Sequence, residues 1–423
     1  MTEETHPQGP GETKPGRPSY GRVLRQPAFL RVWLAQLVSQ SGDFIFEVAL
    51  IWFVLETTRS VLDVGIVVTG TILPAVVIGP FLGVYLDRWD RKRVLVGTNL
   101  LEGGVVAVLA FLVLEGVASL WVIFGIVLVL GAGARLVGVA TEAYVPSFLA
   151  VEDLTPANSL LSLSGSFNQI VALSVGGVVV ALFGVTIPME YDTLTFFAAA
   201  LLLLSVHGPT RPATPAPGTS RSSFFTEFRE GFAFVRDNRF MLEIIVIGML
   251  VNFFGNAMSA LFAPYAAFVL HGGATVYGLL GASVAAGSLG GAVAIGNADT
   301  RKSAGRFLLA GGMGVGLIVL AVGLVSNIPL ALALMVGLGI TITVTNLPMQ
   351  TLLQAKVPDR LRGRVMSAFF ALVMATGPMG PLAAGWMASR WSVAGALVIS
   401  GAAITVVIAL GALTMRSLRD VEY

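Results

Sequence analysis

Residues Gly83–Val94, GVYLDRWDRKRV, put two Asp, three Arg and one Lys between segments that are almost wholly apolar. Charge gathered into one short stretch, with apolar runs on both sides, is the pattern of a loop joining two membrane-spanning helices. The composition agrees: 55% of the 423 residues are hydrophobic and 12% are charged, and mean hydropathy is +0.84. A water-solvated chain of this length needs more charge to cover its surface, whereas a lipid-solvated chain needs charge only in loops and at functional sites.

Working outward from that loop, apolar runs of about 20 residues predict spans near 30–55, 64–86, 94–114, 120–139, 160–183 and 194–206. A polar stretch follows, and then spans near 241–270, 276–295, 307–325, 328–347, 365–388 and 393–413. The fold class is thus an all-α integral membrane protein with twelve helices in two groups of six. The expected organisation is a cytoplasmic tail over 1–27, a six-helix bundle over 28–207, a linker over 208–239, a second bundle over 240–415 and a tail over 416–423. All but three of the 26 Lys and Arg fall on one side of this alternation, the exceptions being Arg59, Arg390 and Arg135. Basic loops face the cytoplasm, so a multi-pass protein of the cell's inner (plasma) membrane is expected, with both termini cytoplasmic. The Pro- and Gly-rich start reads as a tail, not a signal peptide.

The two halves repeat. At one offset Gly42 falls on Gly255, Asp43 on Asn256, Gly65 on Gly278, Gly83 on Gly296 and Arg88 on Arg301. Two bundles built from one repeat and joined by a linker can rock about a central cavity.

The opening stretch resembles the G-x-L-a-D-r-x-G-r-k signature between the second and third helices of the major facilitator superfamily. That resemblance implies a gating motif made of Gly83, Asp87, Arg88, Arg91 and Lys92, which latches the bundles together on the cytoplasmic side when the transporter faces outward. Asp90 stands where the general motif has Gly. Together with SQSGDFIFEVAL, PSFLAVEDLTPANSL and QAKVPDRLRGRVMSA, it is similar to the drug- and siderophore-efflux branch that includes enterobactin and macrolide exporters. The Gly-Pro motif of superfamily antiporters is missing from the fifth span, which reads IVALSVGG, while GPMGPLAAG appears in the eleventh.

Ionisable side chains within spans cost about 2.5 to 3.5 kcal/mol to insert, so each is a functional candidate. Asp43 lies ~20 Å along its helix, and Glu47 stands one turn further on the same face. Two desolvated carboxylates this close do not both ionise easily, as a proton-coupled carrier requires. Glu102 and Arg135 are the other candidates for proton coupling or substrate binding, with Asp43, Glu102 and Glu142 as possible partners of Arg135. Gln36, Gln40, Asn252, Asn256 and Gln350 are candidates to decorate a cavity, and interhelical hydrogen bonding is the competing role for each.

The remaining chemistry is mostly excluded. There is no Cys, and His6, His207 and His271 lie far apart, so no metal site is expected. GGMGVG at Gly311 sits inside an apolar span, and no G-x-x-x-x-G-K-[ST] occurs. ATP, other cofactors and nucleic acid are therefore not expected, and neither is enzymatic activity. In FFTEFREGFAFVRDNRF, apolar residues at helical spacing and three Arg predict an amphipathic helix on the inner leaflet, in contact with lipid. The leading expectation is proton-coupled efflux of an amphipathic small molecule by alternating access. The alternatives are an importer or lipid flippase on the same fold, or a membrane scaffold or sensor that carries no solute.

Overall fold

A computed structural model describes residues 20–86, 89–207, 224–296, 304–357 and 362–414. The first half contains α1 (Tyr20–Leu24), α2 (Pro27–Thr58), α3 (Val61–Leu86), α4 (Arg91–Leu114), α5 (Leu120–Tyr144), α6 (Val151–Phe183) and α7 (Thr186–Leu204). After α8 (Phe224–Asp237), the second half contains α9 (Arg239–Pro264), α10 (Ala274–Gly296), α11 (Ala304–Gly323) and α12 (Ile328–Lys356). It closes with α13 (Arg362–Ala375), α14 (Met379–Arg390) and α15 (Val393–Thr414). Among the described residues, twelve helical segments are long and apolar enough to cross a membrane. Helix is the required state there, because lipid offers backbone N–H and C=O groups no other partner.

Local chemistry sets several helix ends. Ser119, Asn238, Asn327 and Asp90 cap α5, α9, α12 and α4 by accepting hydrogen bonds from backbone N–H groups at the third residue on, which satisfies donors the first turn leaves free. Asp90, the departure from the superfamily signature, is thus the N-cap of α4. Lys92 secures a C-terminus instead: its Nζ donates to the carbonyls of Leu204 at 2.7 Å and Val206 at 2.8 Å, just past α7. A cation at a helix C-terminus is stabilised by the helix dipole.

Several spans differ from their sequence-based bounds, among them the fourth, which continues to Tyr144, and the tenth, which continues to Lys356. The fifth starts at Val151 and the sixth at Thr186, because polar residues in the first turns of α6 and α7 keep those turns out of a hydropathy window without breaking the helix. The eleventh is two helices: Thr376, Gly377 and Pro378 interrupt it, and Thr376 Oγ1 donates to the Met249 carbonyl. The expected amphipathic helix forms as α8, which packs on α13 and α9 and buries Val235.

The halves meet through α3 against α14 and α6 against α10. These contacts are related by the internal repeat. A Cβ on Gly65 would stand 2.5 Å from the Pro381 carbonyl oxygen of α14, and one on its repeat partner Gly278 would overlap the Leu173 carbonyl of α6. Only a hydrogen at each position lets the helices approach this closely. Thr69 Oγ1 donates to the Pro378 carbonyl at 3.0 Å, and Thr275 Oγ1 to the Gly177 carbonyl at 3.3 Å. All these contacts lie toward the end of the molecule where α2 turns into α3 and α9 into α10. There the two halves are sealed against each other.

Candidate transport cavity

Three spaces adjoin at Ser259, within and between the halves. The first, about 280 Å³, is walled by α2, α3, α4, α5 and α7, with Ser259 and Tyr277 from the other half. A second, about 310 Å³, lies within the second half among α9, α12, α13 and neighbouring helices. The third, about 500 Å³, is the cleft between α6 and α10, and it runs from Leu173 and Tyr277 toward Ser162 and Ala292, away from the seal. Ser259 lines all three, while Glu47 and Tyr277 line both the first and the third. The spaces therefore form a vestibule around Ser259, closed at one end.

Asp43, Glu47 and Glu102 all line the first space, and a fourth carboxylate joins them: Asp192 of α7. Glu47 is exposed to the vestibule and Asp43 is half-buried. Behind them, Glu102 is 3% exposed and Asp192 0%. Asp192 packs against the backbone of Gly42, and its Oδ1 lies 3.3 Å from the Thr195 hydroxyl, which donates to it. Its Oδ2 has no hydrogen-bond partner among the described residues. Glu102 packs its carboxyl on Gly133 of α5.

The structure does not bring Arg135 to these acids. It lies exposed along α3, its Nε 3.5 Å from where a Cβ on Gly79 would stand, and it has no ion pair among the described residues. Glu142 is likewise exposed. Among the described residues, no Lys, Arg or His lines any of the three spaces.

Of the neutral candidates, Asn252, Asn256 and Gln350 line the second space. Asn256 Nδ2 donates to the backbone carbonyl of Asn252 at 2.8 Å, and Asn252 Oδ1 faces Gly377 with no hydrogen-bond partner among the described residues. Gln36 instead donates to Thr141 Oγ1 at 2.7 Å, and Gln40 lies against Gly165; both join α2 to its neighbours. In the expected gating motif, Arg91 is partly buried and Lys92 caps α7. Asp87 and Arg88 lie outside the described residues, as does the side-chain environment of Gly83.

Twelve spans in two pseudo-symmetric bundles around a shared vestibule define a multi-pass carrier of the major facilitator fold, and solved structures agree. The nucleoside transporter NupG superposes with a TM-score of 0.72 at 13% identity, covering 92% of this chain and 99% of that one. A bacterial homologue of the human lysosomal transporter Spinster, in an inward-facing and unoccupied conformation, superposes with a TM-score of 0.69 at 15% identity over 93% and 96% of the two chains.

The sequence signature of the major facilitator transporters described as transmembrane secretion effectors matches residues 21–422, and the chain belongs to that family. It is a membrane transporter and not an enzyme. Among curated relatives, the enterobactin exporter EntS of Salmonella typhi is 26% identical over 403 residues, 93% of each chain. Macrolide efflux protein A of Streptococcus pyogenes is 25% identical over 237 residues, 55% of this chain and 57% of that one. The uncharacterised transporter YvqJ of Bacillus subtilis is 20% identical over 396 residues, 93% of each.

Proposed function

We propose that this transporter exports an amphipathic small molecule across the inner membrane in exchange for protons, by alternating access between its two bundles. The observation that carries the reading is the acid-lined space. Asp43, Glu47, Glu102 and Asp192 face one vestibule that both halves wall, and intramembrane carboxylates at such a site mark proton pathways. The exporter names of relatives that span most of the chain support the direction.

In this reading both termini and the linker are cytoplasmic, following the basic loops. The sealed end is then the outer one, and the cleft between α6 and α10 opens to the cytoplasm. Substrate enters from the cytoplasm or inner leaflet, proton uptake at the carboxylates accompanies the opposite opening, and the cycle reverses after release.

The test is transport in proteoliposomes under an imposed pH gradient, using a panel of amphipathic compounds that are cationic, neutral or anionic. Gradient-driven accumulation of at least one compound, collapsed by a protonophore, is expected. Accumulation that ignores the gradient, or none across the panel, overturns the reading.

A further inference from the structure

The walls of the vestibule also carry a statement about what it binds, and this step rests on the export reading. The two halves offer opposite chemistry. The first half presents four carboxylates around about 280 Å³. The second presents neutral amides, among them Asn252 and Gln350, set between phenylalanines and methionines around about 310 Å³. Among the described residues, no basic side chain lines either space or the cleft beside them. Charges in a low-dielectric interior interact strongly, so an anion entering the first space meets any ionised acid as a like charge, while a cation meets its complement and favours ionisation of an acid beside it.

Asp192 sharpens the point. A fully buried polar oxygen is nearly always paired, yet Asp192, one of the residues around this space, buries an Oδ2 that has no hydrogen-bond partner among the described residues. The acceptor is built and its donor is missing. A metal ion is a poor candidate for that role, because among the described residues no group of three His, Cys, Asp or Glu is close enough to hold one. The carboxylates surround a volume instead of converging on a point, which suits charge carried on an organic group. Across Ser259, aromatic and thioether side chains supply adaptable apolar contact and cation–π attraction.

We propose that the vestibule selects an amphipathic organic cation and binds it across the two halves, with the positive centre toward Asp43 and Asp192 and the apolar body against Phe254 and Met349. A matched pair of probes tests this directly: tetraphenylphosphonium and tetraphenylborate have nearly the same shape and opposite charge. Binding of each to the purified full chain in detergent is measured by calorimetry, with no gradient. Tetraphenylphosphonium is expected to bind at least tenfold more tightly, and Asp192→Asn to reduce that preference at least fivefold while leaving tetraphenylborate unchanged. Equal binding, tighter tetraphenylborate, binding of neither ion, or an undiminished preference in folded Asp192→Asn overturns the proposal.

Should Asp192→Asn not fold, the unmodified protein still decides. Tetraphenylphosphonium is expected to protect Asp43, the accessible member of the pair, from dicyclohexylcarbodiimide, read by mass spectrometry, and unchanged labelling overturns the proposal. Because binding is read without a proton gradient, a failed charge preference and a failed proton coupling are separate results.

Discussion

The carboxyl group of Asp192 rests on the backbone of Gly42, so closely that a Cβ on the glycine would overlap both Asp192 Oδ1 and Thr195 Oγ1. This contact fixes α7 against α2 one residue before Asp43. It sets how the acids of two helices share one space.

Gly42→Ala is expected to destabilise the protein by about 1 to 3 kcal/mol, the usual cost of overpacking a tight contact. Thermal unfolding of the purified protein measures it. If the overlap with Asp192 is the cause, the double variant Gly42→Ala, Asp192→Ala recovers at least half the loss. Strictly additive losses would show that the two sites do not interact.

Asp43→Asn keeps the size and hydrogen-bonding capacity of the side chain and removes its titration. The repeat partner of Asp43 is already Asn256, so an amide is tolerated at the matching place. In a proton-coupled carrier the substitution is expected to reduce gradient-driven accumulation more than tenfold while leaving substrate exchange, which needs no net proton movement, within about threefold of the unmodified rate. Equal loss of both activities would place Asp43 in substrate binding or folding instead of coupling.

The span count and the repeat were legible in the sequence because lipid exposure imposes long apolar runs and because both bundles keep glycines at their shared seal. Gly65 and Gly278 align in sequence and meet opposite helices in matching contacts. Asp192 was not legible from hydropathy: Glu190, Tyr191 and Asp192 stand close together near the start of α7 and look like loop. Helical spacing carried the missing signal, since Asp192, Thr195, Phe196, Ala199 and Leu203 form the buried face of α7. The placement of Arg135 was illegible for a different reason. A helix that is apolar on nearly every side carries little rotational information, so depth in the bilayer was readable and direction was not.

Lys92→Gln is expected to lower stability by about 1 to 2 kcal/mol, through loss of charge-assisted hydrogen bonds at the end of α7. Arg31 also donates to a carbonyl there, that of Ser205, so Arg31→Gln should act in the same direction and the pair should lose more than either. Unfolding midpoints of the three variants check this. An unchanged midpoint in Lys92→Gln would mean that water replaces its two bonds without cost.

The seal between the bundles gives a prediction about conformational balance. Gly278 meets the Leu173 carbonyl only where α6 and α10 lie together, so a larger side chain at that position penalises the sealed state and leaves the opposite one untouched. A difference of about 1.4 kcal/mol moves a two-state population tenfold, and the overlap from Gly278→Val is expected to supply at least that. The chain has no cysteine, so Ser162→Cys, on the exposed side of the cleft, becomes a single reporter for a maleimide in detergent. Adding Gly278→Val should slow its labelling about tenfold. Gly290→Val, on the same helix with nothing within 4 Å of the added Cβ, should leave the rate unchanged. Equal labelling in both variants would mean that the close approach at Gly278 does not set the balance between the two openings.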